Sequence, residues 1–221
     1  MSWLELLIQG GAIVSWLAIV LALGMVAKLQ FANPEIARKV VHIGTGNVIL
    51  IAWALNASIY LCLTVAIAFT IIAFLSYYTN ILPMLVGIGR QTRGVFYYGL
   101  SITLLVAIFW HTKPELVVIG VMVMSWGDGL AALIGQKWGR HKYTVGPNQR
   151  SWEGSAIMLL VSYILVGVIL QWTDYPHSWL VSLPVAVLSA ILEAVSLGGT
   201  DNFTVPLATT LLCFGLTAWF S

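Results

Sequence analysis

The sequence predicts an all-α, polytopic transmembrane helical bundle of about seven to eight spanning helices, and three observations support this fold class. Hydrophobic residues make up 60% of the 221 residues and charged residues only 8%, which a water-soluble surface would not tolerate. The apolar residues form long continuous runs, and about 20 such residues suffice for one helix to cross a bilayer. The runs lack the short alternating pattern of a transmembrane barrel, so a barrel is excluded.

Eight apolar stretches qualify as spans. They cover residues 3–27, 40–55, 58–78, 95–110, 116–134, 155–172, 179–197 and 203–220. The first stretch is too long for a signal-peptide core and has neither a positive leader nor a cleavage site, so we expect it to be retained. Without linkers or repeats between the stretches, we expect one integral membrane domain over residues 1–221. A bacterial membrane, cyanobacterial membranes included, or an organellar membrane would suit such a chain.

The basic residues orient the spans, because cytoplasmic connections of membrane proteins are enriched in Lys and Arg. With the N-terminus outside, Lys113 alone of the ten basic residues lies on the outer face. The inner connections then hold Lys28, Arg38, Lys39, Arg90, Arg93, Lys137, Arg140, Lys142 and Arg150. Most acids fall on the same inner face, so we expect the polar chemistry on the cytoplasmic side. A net charge of +2 gives no reason to expect nucleic acid as a partner.

The most informative segment, residues 125–155, begins with an acid between two glycines. Asp128 lies at or inside the edge of a span, where an ionised carboxylate is costly unless it faces a partner, a cation or a wet cavity. Gly127 and Gly129 remove side-chain bulk on either side, so that a phosphate or another helix can approach the backbone closely. We therefore expect Asp128 to have a partner.

The same segment then supplies the groups that phosphoryl transfer requires. Lys142 and Arg150 could neutralise a polyphosphate, while Asp128 and Glu153 could hold Mg²⁺ that bridges it. Phosphoryl transfer needs mainly positioning, metal and cationic charge, plus a group that orients or deprotonates the acceptor. The structural alternative is that the cations anchor the topology, Asp128 pairs with one of them and the glycines pack helices. For the cluster as a whole we favour a functional role over this structural alternative.

A second constellation lies at the start of the second span. Asn33 and Pro34 suit a helix cap and first turn, so Arg38 and Lys39 lie just inside the inner end of the helix. Arg38 and His42 are four residues apart and share one helical face. Anchoring and function explain the two cations equally well, whereas His42 lies about one turn deeper and needs a partner there.

A third constellation joins the end of the seventh span to the eighth. Glu193 lies one turn inside the span and is its strongest functional candidate. Asp201 or Asn202 could serve as the N-cap of the last helix, and this role alone could explain one of them.

Four motifs in this order identify a family resemblance that covers the chain from Arg38 to Pro206. They are RKVVHIG at 38–44, WGDGLA at 126–131, Lys142 followed by RSWEGS at 150–155, and DNFTVP at 201–206. With them the chain resembles the membrane-bound phytol kinase and dolichol kinase family, and within it the phytol kinase branch. The chain departs from the pattern at Arg150, where the family usually has Lys, which keeps the charge but alters the hydrogen-bond geometry.

The resemblance implies transfer of the γ-phosphate of CTP to the hydroxyl of a long isoprenoid alcohol, with Mg²⁺ assistance. The products would be CDP and the alcohol's monophosphate. The alcohol would be phytol, or alternatively geranylgeraniol or another polyprenol, dissolved in the lipid bilayer. The resemblance also implies salvage of phytol toward tocopherol. CTP in place of ATP rests on the resemblance, and the sequence defines no oligomeric state.

These inferences lead to residue assignments. The candidate catalytic groups are Asp128, Glu193 and His42, and the candidate metal ligands are Asp128, Glu153 and Asp201. The candidate nucleotide-binding set is Arg38, Lys39, Gly127, Gly129, Lys142, Arg150, Ser151, Glu153, Gly154, Ser155 and Asn202.

The sequence leaves two alternative functions open, another membrane enzyme that uses CTP and, from a different class, a transporter. The loop that carries Glu153 also resembles that of phosphatidate cytidylyltransferases, which use CTP in membranes. Those enzymes are expected to carry a Lys-Asp signature near the end, whereas this chain has Asp201 and Asn202 there and no basic residue after Arg150. A transporter would place its site near the bilayer midplane between repeated halves, and neither feature is evident in the sequence. We therefore favour the kinase.

Overall fold

The computed structural model of the chain describes residues 3–79 and 93–220. Within these residues the chain forms ten α-helices, one π-helical turn and one β-hairpin. In chain order they are α1 (Trp3–Gln30), α2 (Pro34–Gly46), α3 (Val48–Ala54), α4 (Ile59–Thr79), α5 (Gly94–Phe109), α6 (Pro114–Met122), the π turn (Val123–Asp128), α7 (Gly129–Trp138), β1 (Lys142–Val145), β2 (Asn148–Ser151), α8 (Trp152–Trp172), α9 (Ser178–Val195) and α10 (Asp201–Phe220).

The predicted all-α membrane bundle is confirmed. In the described part of the chain, six helices are long and apolar enough to cross a membrane: α1, α4, α8, α9, α10 and the continuous helix Pro114–Trp138. The helix α5 is apolar but shorter, and α2 with α3 covers the predicted span 40–55. Arg90 and most of the predicted inner connection 79–94 lie outside the described residues.

The second predicted span is broken into two helices at Asn47. Its first helix, α2, begins at Pro34 because the Asn33 side chain accepts the backbone N–H of Glu35 at 3.0 Å and Pro suits the first turn. Trp126 Nε1 donates a hydrogen bond to Asn47 Oδ1 at 2.8 Å. The break in the second span is therefore fastened to the π turn.

The helix α6 lies at the centre of the bundle, and its residues from Leu116 to Met122 are buried. A side chain at Gly120 would collide with Thr210 and the Pro206 carbonyl, so α10 approaches α6 closely there. Thr210 Oγ1 also donates to the Leu116 carbonyl at 3.0 Å. The wider π turn follows directly and changes the angular position of Asp128 relative to a regular helix.

A short antiparallel hairpin occupies the connection between α7 and α8, which the sequence predicted only as a loop. Lys142 pairs with Ser151 and Tyr143 with Arg150, and Gly146 in the turn has a φ of +56°. The hairpin fixes the position of Arg150 relative to the ends of the neighbouring helices.

The opposite end of the bundle carries fewer ionisable groups. Lys113 Nζ donates to the Tyr175 hydroxyl at 2.6 Å, which in turn donates to Glu115 Oε1 at 3.0 Å. Trp110 Nε1 donates to the Ala57 carbonyl at 2.9 Å. Among the described residues, the ionisable side chains that cluster deep inside the bundle lie at the hairpin end.

Candidate active site

One polar cavity of about 250 Å³ opens at the hairpin end of the bundle. It is bounded by α2, the π turn, α7, the hairpin and the ends of α8, α9 and α10. The charged residues that line it are Glu35, Arg38, Lys39, Asp128, Lys142, Arg150, Glu193 and Asp201. The fold therefore brings all three sequence constellations to one site.

Asp128 is the partner of two residues on α2. Its Oδ2 lies 2.5 Å from Lys39 Nζ and 3.6 Å from His42 Nε2. The side chains of Lys39 and Asp128 are both buried, so the expected partner of the intramembrane acid is Lys39. His42 does not line the polar cavity, and its Nε2 is buried without a hydrogen-bond partner among the described residues.

Arg150 ties the hairpin to the ends of α9 and α10. One terminal nitrogen of its guanidinium forms an ion pair with Glu193, and the other donates to Ser196 Oγ at 2.7 Å. Ser196 Oγ donates in turn to Asp201 Oδ2 at 2.9 Å, while Arg150 Nη2 lies 3.7 Å from that oxygen. This network engages both terminal nitrogens of Arg150 and one carboxylate oxygen of Glu193.

Two further cations line the cavity without an ion pair to a buried acid. Arg38 is partly exposed and lies 3.6 Å from Glu35, one turn earlier on α2. Lys142 Nζ donates to the Gly135 carbonyl at 2.9 Å, and the residue is otherwise exposed. Both cations are therefore accessible to an anion that enters the cavity.

The N-terminal end of α8 faces the same cavity through Ser151, Gly154 and Ser155. Ser151 caps this helix, because its Oγ accepts the Gly154 N–H at 3.1 Å. The Ser155 hydroxyl is hydrogen-bonded to the Tyr143 hydroxyl at 2.6 Å. A helix N-terminus carries partial positive charge, so its position favours anions in the cavity.

Two of the predicted nucleotide-binding residues, Gly127 and Gly129, lie outside the cavity lining. A side chain at Gly127 would collide with Met158 of α8, and a side chain at Gly129 would collide with Ile43 of α2. Both glycines therefore allow close packing around Asp128, and nucleotide binding by them stays a prediction that the cavity lining does not support.

Glu153 also lies outside the lining, although it was predicted as both a nucleotide and a metal ligand. Its carboxylate accepts the backbone N–H groups of Arg140 and His141 at 3.0 and 3.1 Å and lies 2.8 Å from His141 Nδ1. These contacts hold the start of the hairpin against the first turn of α8. The geometry favours a structural role for Glu153.

The sequence reasoning did not select Ser196 or Glu35, which both line the cavity. Ser196 follows Glu193 by three residues, and this helical spacing was the available signal. Asn202, which was selected, lines the cavity while its Nδ2 donates to the Gly199 carbonyl at 3.3 Å. Its backbone carbonyl accepts a hydrogen bond from Ser101 at 2.9 Å, which fixes the start of α10 against α5.

The oxygen donors of the cavity suit Mg²⁺ when a phosphate shares the metal. Among residues 3–79 and 93–220, no three His, Cys, Asp or Glu side chains converge as a ready-made metal site. Mg²⁺ needs no such cluster, since it usually keeps several waters and is held by one or two carboxylates and substrate phosphates. Asp128 and Asp201 line the cavity and supply carboxylates of this kind.

Comparisons with known proteins identify the family. No protein-family model matches the chain, and no solved structure matches it. A phytol kinase of Synechocystis sp. is 42% identical over 89% of this chain and 86% of its own length. A probable chloroplastic phytol kinase of Triticum aestivum is 27% identical over 95% of this chain and 75% of its own length. Phytol kinase 1 of Arabidopsis thaliana, also chloroplastic, is 27% identical over 89% of this chain and 71% of its own length.

These relatives bear out the predicted resemblance. None of the three is a cytidylyltransferase or a transporter by name, so the alternatives raised by the sequence receive no support from them. The Synechocystis protein in particular shares more than two-fifths of the aligned residues over most of both chains. The chain belongs to the phytol kinase family.

Proposed function

We propose that this chain phosphorylates phytol or a closely related isoprenoid alcohol with CTP as the phosphate donor. It is an enzyme of the lipid-alcohol kinase class, as its relatives show. One structural observation carries the proposal. The apolar bundle contains a polar cavity in which four cations and four acids meet, and they come from α2, the π turn, the hairpin, α9 and α10.

The nucleotide phosphates bind in this cavity in our proposal. Arg38 and Lys142 are its accessible cations, and the N-terminal end of α8 adds backbone donors and a favourable dipole. Arg150 is held by Glu193 and Ser196, so it supplies positive charge from a fixed position. The choice of CTP comes from the family resemblance and not from a base-reading contact.

The acid–base centre is formed by Asp128 with His42. The alcohol oxygen attacks the γ-phosphorus, the bond to the bridging oxygen breaks, and the nucleoside diphosphate leaves. The hydroxyl proton passes to this pair, in which His42 Nε2 and Asp128 Oδ2 are 3.6 Å apart. Lys39 holds Asp128 in place. Glu193, the third candidate base, is instead engaged by Arg150.

Asp128 and Asp201 would hold Mg²⁺ together with the phosphates. The ion would supply charge neutralisation of the transferring group. The residues of the chain contribute the rest: Arg38 and Lys142 bind the phosphates, and Lys39 keeps Asp128 oriented toward His42.

We place the cavity on the cytoplasmic side of a bacterial membrane, or on the equivalent side of an organellar one, with the N-terminus outside. This orientation follows from the clustering of Lys and Arg at the hairpin end. A water-soluble nucleotide would then enter from the aqueous compartment. The alcohol would enter from the bilayer.

The test is phosphate transfer by the purified protein in lipid vesicles. CTP or ATP labelled at the γ-phosphate is supplied with phytol, geranylgeraniol, dolichol or diacylglycerol, and the lipids are extracted. We expect label in phytyl monophosphate, with CTP as the better donor. Asp128→Asn should lower the turnover at least about 100-fold, whereas Asp174→Asn at the opposite end should leave it unchanged.

Two results would contradict the proposal. Absence of label in every alcohol would refute the proposed kinase activity. Transfer of the nucleotide's α-phosphate to phosphatidate, without γ-phosphate transfer, would assign the chain to the cytidylyltransferase class instead.

A further inference from the structure

A second pocket lies beside the candidate active site, and its lining is almost entirely apolar. It is formed by residues of α1, α2, α3, α4, α5 and α6. The lining residues are Ile13, Leu17, Thr45, Gly46, Val48, Ile49, Ala52, Cys62, Val65, Ala66, Phe69, Tyr98, Ile102, Val106 and Val121. We call it the apolar groove, because it is not an enclosed cavity.

The groove runs between α1 and α4. Ile13 and Leu17 of α1 form one wall, and Ala66 and Phe69 of α4 form the other. The helix α1 packs chiefly on α2 and α3, so the described part of the chain leaves α1 and α4 apart along this face. Both helices are candidate membrane spans, so we infer that an opening between them faces the lipid. An occupant from the bilayer with a hydrocarbon chain suits its lining.

The groove meets the acid–base centre at its inner end. Tyr98 lines the groove, and its ring centroid lies 4.9 Å from that of His42. The Tyr98 hydroxyl is hydrogen-bonded to Ser125 Oγ at 2.7 Å, three residues before Asp128. His42 Nε2 lies 3.6 Å from the Asp128 carboxylate. A layer of three side chains, His42, Tyr98 and Ser125, therefore connects the apolar groove to the charged cavity through direct contacts.

One polar atom in this layer makes no hydrogen bond. His42 Nε2 is buried and has no hydrogen-bond partner among the described residues, because the Asp128 oxygen beside it is 3.6 Å away and beyond hydrogen-bond distance. A buried polar atom without a partner is costly, and such atoms in native proteins call for an explanation. A hydroxyl group at the head of an apolar chain would satisfy Nε2 while its chain remains in the groove. An acyl chain of the bilayer alone would leave Nε2 without a hydrogen bond.

We propose that the apolar groove binds the isoprenoid chain of the acceptor alcohol next to its hydroxyl, and that His42 Nε2 receives that hydroxyl. This inference rests on the proposed kinase function. It adds an entry route from the bilayer between α1 and α4. It also adds a determinant of chain length, since Phe69 and Tyr98 lie at the inner end of the groove while Ala66 and Cys62 lie farther along it.

The chain offers a matched pair of substitutions on one helix. Ala66 is buried and lines the groove, whereas Ala68 on the same helix is exposed and does not line it. Ala66→Phe should shorten the groove, and Ala68→Phe should leave it open. Activity is measured with phytol and with the much shorter alcohol geraniol. We expect Ala66→Phe to lower the phytol-to-geraniol ratio of kcat/KM at least about tenfold, and Ala68→Phe to leave it unchanged.

An unchanged ratio in Ala66→Phe, or an equal change in Ala68→Phe, would overturn the inference. The kinase proposal would survive either result, because the wild-type protein would still phosphorylate the alcohols. If the wild type transfers phosphate to no alcohol, the proposed function fails by itself.

A second measurement avoids dependence on the folding of a variant. The wild-type protein is irradiated with a phytol analogue that carries a diazirine on its chain, and the labelled peptide is identified by mass spectrometry. We expect label on residues that line the groove, reduced by excess phytol but not by excess phospholipid. Label confined to residues outside the groove lining, or equal competition by phospholipid, would overturn the inference even without any turnover.

Discussion

Lys39 Nζ lies 2.5 Å from Asp128 Oδ2, and this buried ion pair joins α2 to the π turn across 89 positions of the chain. Removing one member of a buried pair leaves an uncompensated charge, which costs more than removing both. The pair therefore has a structural consequence that can be separated from its catalytic role.

Lys39→Met should lower the free energy of unfolding by about 3 kcal/mol, because Asp128 would be left buried without its cation. The double variant Lys39→Met, Asp128→Asn should lose less than the sum of the single variants. Thermal unfolding in detergent measures both effects. Lys28→Met serves as the control, since Lys28 is exposed in the last turn of α1. Additive losses would show that the two side chains are not coupled.

Glu193→Gln should reveal an anchoring role and not that of a catalytic base. The substitution removes the partner of Arg150, so we expect a lower unfolding temperature and a turnover within about tenfold of the wild type. Steady-state kinetics and thermal unfolding are measured on the same preparations, with Glu115→Gln at the opposite end as the control. A loss of turnover as large as that of Asp128→Asn, at unchanged stability, would instead identify Glu193 as the base.

Lys142→Met should weaken nucleotide binding specifically. Lys142 lines the polar cavity, and a charge-assisted contact to a phosphate is worth roughly 2 kcal/mol, so KM for CTP should rise at least about tenfold while KM for phytol stays constant. The matched control is Lys137→Met, because Lys137 is exposed and lies over the Trp138 ring at 4.6 Å. Equal effects of the two substitutions would point to general surface charge.

Asp201→Asn should raise the Mg²⁺ concentration required for half-maximal activity, by about tenfold or more, because Asp201 lines the cavity as a carboxylate donor. Glu153→Gln should leave the required Mg²⁺ concentration unchanged, since the Glu153 carboxylate binds backbone N–H groups at the start of the hairpin. Titration of activity with Mg²⁺ distinguishes the two acids. If Glu153→Gln shifts the titration and Asp201→Asn does not, the sequence-based assignment of Glu153 as a metal ligand is the correct one.

The sequence predicted the class of the fold because the bilayer leaves few choices. Apolar runs of about 20 residues must satisfy their own backbone hydrogen bonds, so each becomes a helix. The break at Asn47 and the hairpin from Lys142 to Ser151 were not predicted. Both depend on contacts with distant residues, such as Trp126 for Asn47, that no local pattern reveals.

The sequence also singled out most charged residues of the candidate site, since an ionisable group in a span needs a reason to be there. The sequence could not show which of these charged residues pair with each other. The tertiary structure joins Asp128 to Lys39 and Glu193 to Arg150, and it turns Glu153 toward the backbone at the start of the hairpin. It also buries His42 Nε2 without a hydrogen bond to the described residues. These distinctions depend on how each helix is rotated about its axis and on the π turn before Asp128. Composition and motif order determine which groups reach the membrane face, whereas the packing of the helices decides which of them meet.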